Sequence, residues 1–418
     1  MRSLQWFIFL LANGLGVPIV VGQLFHLSPI EIAEFIQRTF FVIGITTFLQ
    51  VTFGHRLPLI DGPAGIWLGV FVVMGQIAAT KNTLNSLTAI VLTAGIVLVI
   101  FGVTGWFSKM LAIFTSLVTS TFLVLLSLQL SGVFLKGMLG IQTDATYFPV
   151  KEASVAFFIF VLVFVLSMWG KGWMKTYSVL IGIIFGWICF LLIGAPSHET
   201  SANAVFSLPQ IFAWGLPRFD IGGVMSGILI GLVLLSNNVA SIKAVNQVVP
   251  DKQKADKKEL NKSGWVSGVS HMLSALFSTI GMVPLTVTAG FVKITNQIRT
   301  NVLQVACIVL IVLSCFPPIM SFLSLLPSQI AYAAILPSFA QMFAIGIRTL
   351  VETGLDERRI TIFSLSVSLG IGVMFLPLPL FQKFPSIVQY IFGNGLLVGV
   401  VIVILLDQIW KRKPNENE

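Results

Sequence analysis

The 418-residue sequence predicts an all-α polytopic membrane protein: fourteen transmembrane segments in a 7+7 inverted repeat, with short extended stretches in segments 3 and 10. Three observations lead there. Hydrophobic residues make up 56% of the chain and charged residues 10%, against about 25% charged in soluble domains, and the mean hydropathy is +0.96. Apolar windows long enough to cross a hydrocarbon layer about 30 Å thick recur from end to end. Basic residues then fall mostly on one side of the implied loops. This pattern excludes a water-soluble enzyme, a disordered chain and a nucleic-acid binder.

In order, the spans read 4–24, 33–53, 60–79, 86–106, 110–131, 152–170, 175–195, 221–242, 263–282, 284–298, 301–321, 328–347, 359–377 and 388–410. The first follows Arg2 directly and shows no convincing small-residue cleavage site, so it reads as a retained helix. The third is interrupted by LPLIDGPAGIW (57–67) and the tenth by GMVPLTVTAG (281–290). With the N-terminus in the cytoplasm, Arg38, Lys81, Lys136, Lys151, Arg218 and Lys383 lie outside and the other 19 of the 25 Lys and Arg residues inside, as the positive-inside rule requires. Both termini are then cytoplasmic. The net charge of +9 is accounted for by these topology charges and by contacts with anionic lipid. The largest loops, 132–151, 196–220 and 251–264, are too short for a nucleotide-binding domain, which excludes an ATP-driven pump within this chain. A channel, a secondary transporter, or a membrane scaffold or enzyme remains. Cys189, Cys307 and Cys315 have no paired spacing, so neither a disulfide framework nor a metal site is expected.

Seven spans per half reverse the orientation of the second half, and matching broken segments in such halves point to a binding site near the midplane. Span 3 supplies Gly62, Pro63 and Ala64, whose backbone is free to run extended. Span 10 supplies Thr286 and Thr288, whose hydroxyls serve either a ligand or the freed backbone. The polar stretch of span 8 puts Asn237 and Ser241 on one face, with Asn238 about 100° away; these amides bind a ligand or glue helices together. Asp61, one of two carboxylates within the spans beside Asp407, reads either as an ion or proton site, and so a coupling candidate, or as a wet helix end. Trp6 in span 1 marks the interface or walls the site.

Four stretches, LQWFIFLLANGLGVP (4–18), HRLPLIDGPAG (55–65), LLSNNVASIKAVNQVV (234–249) and NKSGWVSGVSHMLSALFSTIGMVPLTVTAGFVKITNQIRT (261–300), taken in order, resemble the nucleobase–ascorbate transporter family of uracil, xanthine and purine permeases. The resemblance implies a core domain of 1–106 and 221–321, a gate domain of 110–195 and 328–410, and a base held between them. It also exposes departures. Gln5-Trp6 stands where the family carries Gln-His, Asn237 and Ser241 where uracil permeases place a glutamate and a histidine, and Gly290 about where a second glutamate falls. The expected function is a secondary transporter, not an enzyme, moving a nucleobase, a purine such as xanthine or uric acid, across the cell membrane, with proton symport left open. An anion transporter of the same architecture and a non-transporting scaffold are the alternatives. No cofactor is expected; the partners are the base and membrane lipid, with a homodimer left open.

Overall fold

Short polar side chains start the helices. Ser28 caps the helix after it in a reciprocal capping box with Glu31, and Thr80, Thr115, Asp220, Asp356 and Asn394 each accept a hydrogen bond from the first turn of theirs. The computed structural model describes residues 2–63, 65–77, 80–106, 115–141, 148–193, 204–249, 257–352, 354–376, 384, 388 and 394–410. Its elements are α1 (Arg2–Leu24), α2 (Pro29–Thr52), β1 (Asp61–Pro63), α3 (Gly65–Ile77), α4 (Lys81–Thr104), α5 (Ser116–Met138), α6 (Val150–Trp169), α7 (Trp173–Thr176) and α8 (Ser178–Leu192). There follow α9 (Ile221–Asn246), α10 (Lys257–Leu276), β2 (Met282–Pro284), α11 (Val287–Thr295), α12 (Thr300–Ser314), α13 (Pro317–Ser324), α14 (Ser328–Glu352), α15 (Glu357–Met374) and α16 (Gly395–Ile409).

Among the described residues, seven helices (α1, α2, α4, α5, α6, α9 and α14) are long and apolar enough to cross a membrane, and α11 with α12, bent by 118°, adds an eighth if the two are one broken span. The protein is therefore a multi-pass membrane protein. Helix α10 falls short on hydropathy for a physical reason: Ser263, Ser267, Ser270, His271 and Ser274 are all buried to 0% exposure, so protein rather than lipid surrounds its polar face.

Several boundaries differ from expectation. The span expected over 301–321 is two helices, because Pro317 and Pro318 cannot continue α12 but fit the first turn of α13. The span expected over 263–282 begins earlier, at Lys257, and stops at Leu276 before the chain extends into β2. Arg38, counted among the outer-side charges, lies inside α2 at 2% exposure, 3.8 Å from Glu34 and over the Phe35 ring. The described part of the 196–220 loop packs across helix ends: Ser207 N–H donates to Cys315 O (3.0 Å), Phe212 N–H to Leu276 O (2.7 Å) and Arg218 N–H to Asn85 O (3.2 Å).

Helices α4 and α10 approach each other closely. A Cβ on Gly268 would come 2.5 Å from the Val99 nitrogen, and one on Gly102 2.3 Å from the Trp265 nitrogen, so the two backbones touch only because side chains are missing there. Gly268→Leu should lower the stability of the detergent-purified protein by about 1–3 kcal/mol through overpacking, read as an earlier thermal unfolding transition. An unchanged transition would mean that the α4–α10 seam is not tight.

Candidate functional site

The two interrupted segments meet. Strands β1 and β2 pair antiparallel with Asp61 opposite Pro284, Gly62 opposite Val283 and Pro63 opposite Met282, and Leu285 N–H extends the ladder to Ile60 O (2.9 Å). Asp61 N–H donates to Thr47 Oγ1 at 3.0 Å. From α9, Asn237 Nδ2 (3.3 Å) and Ser241 Oγ (2.7 Å) both donate to the Pro284 carbonyl. The i,i+4 pair thus holds the crossing point. Each strand runs into a short helix, β1 toward α3 and β2 toward α11; at the start of α11 the Thr288 and Ala289 N–H groups donate to Leu285 O and Thr286 O, both at 3.1 Å.

Beside this crossing lies a cavity of about 210 Å³. It is lined from α1, β1, α3, α5, α8, α9, β2, α11 and α14. Its side-chain polar groups are Asn13, Asn237, Thr286 and Ser338; no charged side chain lines it. Asn13 Nδ2 donates to Phe9 O (2.8 Å) and Asn237 Nδ2 to Pro284 O, so each amide keeps its carbonyl oxygen for a ligand. Phe122 and Phe339 supply flat apolar surface from α5 and α14. The site can therefore accept hydrogen bonds from ring N–H groups, donate the Thr286 and Ser338 hydroxyls to carbonyl or anionic oxygens, and cover a planar ring. A second cavity, of about 230 Å³, shares Ala12, Asn13, Val179, Val287 and Ser338 with the first and continues toward Gly290, Lys175 and Thr176.

The expected residues divide. Pro63, Asn237 and Thr286 line the cavity. Gly62 and Ser241 stand behind it, as strand backbone and as a bond to Pro284. Thr288 is fully buried in α11, its hydroxyl without a partner among the described residues. Asn238 turns toward α10, where its Oδ1 accepts from Ser267 Oγ (3.0 Å), which puts it in helix packing rather than on the cavity wall. Trp6 is also off the wall, fully buried against Phe9 and Phe291, with ring centroids 6.2 and 4.4 Å away. Asp61 is 1% exposed and lines neither cavity. Ala64 is outside the described residues. Sequence reasoning missed Asn13, Phe122, Ser338 and Phe339. Asn13 left a signal, as a single amide in an apolar run; Phe122 and Phe339 are lost among 35 phenylalanines.

Helices crossing a membrane around an uncharged cavity, closed by two half-helices, define a protein built to hold a small molecule within the bilayer. The model of the Permease family, Xan_ur_permease, matches residues 1–378. A Bacillus subtilis (strain 168) protein provisionally named purine permease YwdJ is 30% identical over 99% of this chain and 97% of its own length. The xanthine permease of the same organism is 23% identical over 100% and 95%, and the uric acid transporter UacT of Escherichia coli (strain K12) 22% over 97% and 84%. Among solved structures, the transmembrane domain of a cyanobacterium bicarbonate transporter, BicA, superposes with a TM-score of 0.61 at 15% identity over 97% of this chain and 96% of that one. The murine anion transporter Slc26a9 gives 0.65 at 11% over 99% and 69%; both likenesses show the fold alone. The chain belongs to the Permease family.

Two glycines test the site geometry. A Cβ on Gly281 would lie 2.1 Å from Trp67 Nε1, whereas one on Gly290 would meet nothing within 4 Å. Gly281→Ala should cost about 1–3 kcal/mol of stability and Gly290→Ala less than about 0.5 kcal/mol, compared by thermal unfolding. Equal effects would contradict the arrangement.

Proposed function

We propose that this chain is a secondary transporter moving a nucleobase, a purine such as xanthine or uric acid, across the cell membrane. The observation that carries the reading is one cavity lined by two amide oxygens without a partner among the described residues, on Asn13 and Asn237, by the Thr286 and Ser338 hydroxyls, and by the aromatic surfaces of Phe122 and Phe339. A purine dione presents ring N–H donors and carbonyl acceptors around a flat edge, and needs both kinds of partner. At about 210 Å³ the cavity is smaller than the roughly 300–1,000 Å³ typical of drug-sized ligands, which suits a small bicyclic base. The xanthine and uric acid names of the relatives support the same substrate class.

The architecture we assign is fourteen segments in an inverted repeat, with a core of 1–106 and 221–321 and a gate of 110–195 and 328–410. Crosswise packing supports the repeat: α4 of the first half lies against α9 and α10 of the second, and α12 of the second against α1 and α2 of the first. The two strands meet antiparallel between the halves. Both termini face the cytoplasm in this assignment, and apolar surface on α6 and α8, including Phe157, Phe158, Phe185 and Ile188, faces lipid. Alternating access then moves core and gate relative to each other.

A second reading, anion transport, draws on the N-termini of α3 and α11, since helix N-termini favour negative charge. The apolar lining and free amide oxygens favour a base over a small inorganic anion. Proteoliposomes should take up labelled xanthine or uric acid saturably, with competition by purines and not by bicarbonate or sulfate. Competition in the reverse order would select the anion reading. Asn237→Ala should weaken half-saturation by about tenfold, equivalent to about 1.4 kcal/mol, the expected size for a lost ligand hydrogen bond. Single cysteines placed at Lys136 and Lys254 should label from opposite faces of the membrane; labelling from one face would reject the topology.

A further inference from the structure

The cavity leaves Asp61 unused. Its side chain is 1% exposed, and neither carboxyl oxygen has a hydrogen-bond partner among the described residues. Thr46 and Ser270 stand beside it from α2 and α10, and Cys307 approaches from α12. No cationic side chain comes with them. Helix α1, also packed on β1, has Arg2 at its far end as its only ionisable side chain, and β2 has none. The remaining titratable groups nearby are the Cys307 thiol and His271 on α10. The His271 ring is already engaged, accepting from Trp67 Nε1 (2.9 Å) and lying 2.7 Å from Ser267 O.

The direction of the neighbouring hydroxyl protons decides what Asp61 needs. Thr46 Oγ1 donates to Ile43 O (3.4 Å) and Ser270 Oγ to Val266 O (3.1 Å), each on its own helix. A hydroxyl has one hydrogen to give, so turning it to Asp61 would forgo that bond to its own helix, and an ionised carboxylate has no committed donor among the described residues. An ionised carboxylate with neither a cation nor a committed donor is unfavourable in a dry interior, whereas a carboxyl that carries its proton bears no charge there. It then donates that proton to one of those hydroxyl oxygens. Neither cavity reaches Asp61. That favours a proton, which needs no volume, over a metal cation with its oxygen shell.

We propose that Asp61 is the proton-binding group of this transporter, and that the described conformation is built around its neutral form. Protonation forms one O–H bond on the carboxylate, with the proton drawn from water, and involves no other bond change. The proposal rests on the transport reading above and adds the residue to it. Asp61 is paired with Pro284, whose carbonyl is held by Asn237 and Ser241, and Asn237 lines the cavity. Losing the proton leaves a charge behind the strand pair that only water can solvate. Admitting water parts the strands and moves the cavity wall. Proton and substrate therefore favour the same state, and each strengthens binding of the other.

Infrared spectra of the purified wild-type protein at neutral pH, minus those of Asp61→Asn, should contain the C=O stretch of a buried protonated carboxyl. Ser270→Ala keeps the acid and removes one acceptor, and should shift that band; it carries the test alone should Asp61→Asn not fold. Absence of the band overturns the proposal whether or not any base is transported. In proteoliposomes, an inward proton gradient should raise wild-type uptake of labelled xanthine or uric acid several-fold, and in Asp61→Asn the ratio of uptake with and without the gradient should fall to unity. A gradient effect that survives in Asp61→Asn, or wild-type uptake driven by sodium instead, overturns the proposal. Wild-type vesicles that take up no purine while the band is present reject the transport reading and support the carboxyl assignment.

Discussion

The fold depends on one requirement: backbone hydrogen-bonding groups buried in a bilayer must find partners within the protein. Two of this chain's segments are not helical where they lie buried among the helices, and they solve the problem for each other. Asp61–Pro63 pairs with Met282–Pro284, and what the ladder leaves over is taken by side chains, Thr47 at Asp61 and Asn237 with Ser241 at Pro284. The polar stretch of α9 is therefore first a structural device. Only Asn237 of that pair also reaches the cavity, so one side chain both lines the cavity and fixes the strand beneath it.

Helix contacts differ in kind on the two sides of the cavity. The α4–α10 seam is closed by missing side chains, with atoms of one backbone lying where Cβ atoms of the other would be, and it is braced by a buried polar chain in which Gln50 donates to Ser267 Oγ (2.7 Å) and Ser267 to Asn238 (3.0 Å). Such an interface has a single close fit. The contact across the cavity runs through Phe122, Ile335, Phe339 and Met342, which are apolar and offer no directional bonds. A few hydrogen bonds add to it: the Thr119 hydroxyl of α5 and the Ser236 hydroxyl of α9 lie 3.0 Å apart, and the Tyr332 hydroxyl of α14 donates to Val20 O of α1 at 3.4 Å.

Much of this was legible in the sequence because its causes are local. Pro63 and Pro284, each close to glycine, announced broken segments, and the i,i+4 spacing of Asn237 and Ser241 announced one face. The direction of that face was not legible. An amide beside a breaking segment reads as a ligand group, and only the position of the Pro284 carbonyl shows that its N–H is already committed. Asn238 and Trp6 misled for a related reason: adjacent residues on a helix point about 100° apart, and a tryptophan near a chain end has the same letter whether it faces a cavity or packs on Phe291. Arg38 misled through its charge, since a guanidinium near a span boundary normally belongs to the surface. Phe122 and Phe339 are invisible among so many phenylalanines, because which aromatic ring faces a ligand depends on how distant helices meet.

The attachment of α16 bears on how the protein is made. Asp407 receives Arg358 Nη2 from α15 at 2.8 Å and the Thr115 hydroxyl from the start of α5 at 2.6 Å. The family model ends at residue 378, yet this anchor lies beyond it. Thr115 emerges from the ribosome 292 residues before its partner does. During synthesis α5 must wait in the bilayer, held upright by lipid and by whichever neighbours have arrived, until almost the last residue is inserted. A ribosome that stalls after residue 394 releases a chain with its cavity walls present and one of them untethered. Quality control that senses a loose α5 would therefore be reading whether α16 has arrived.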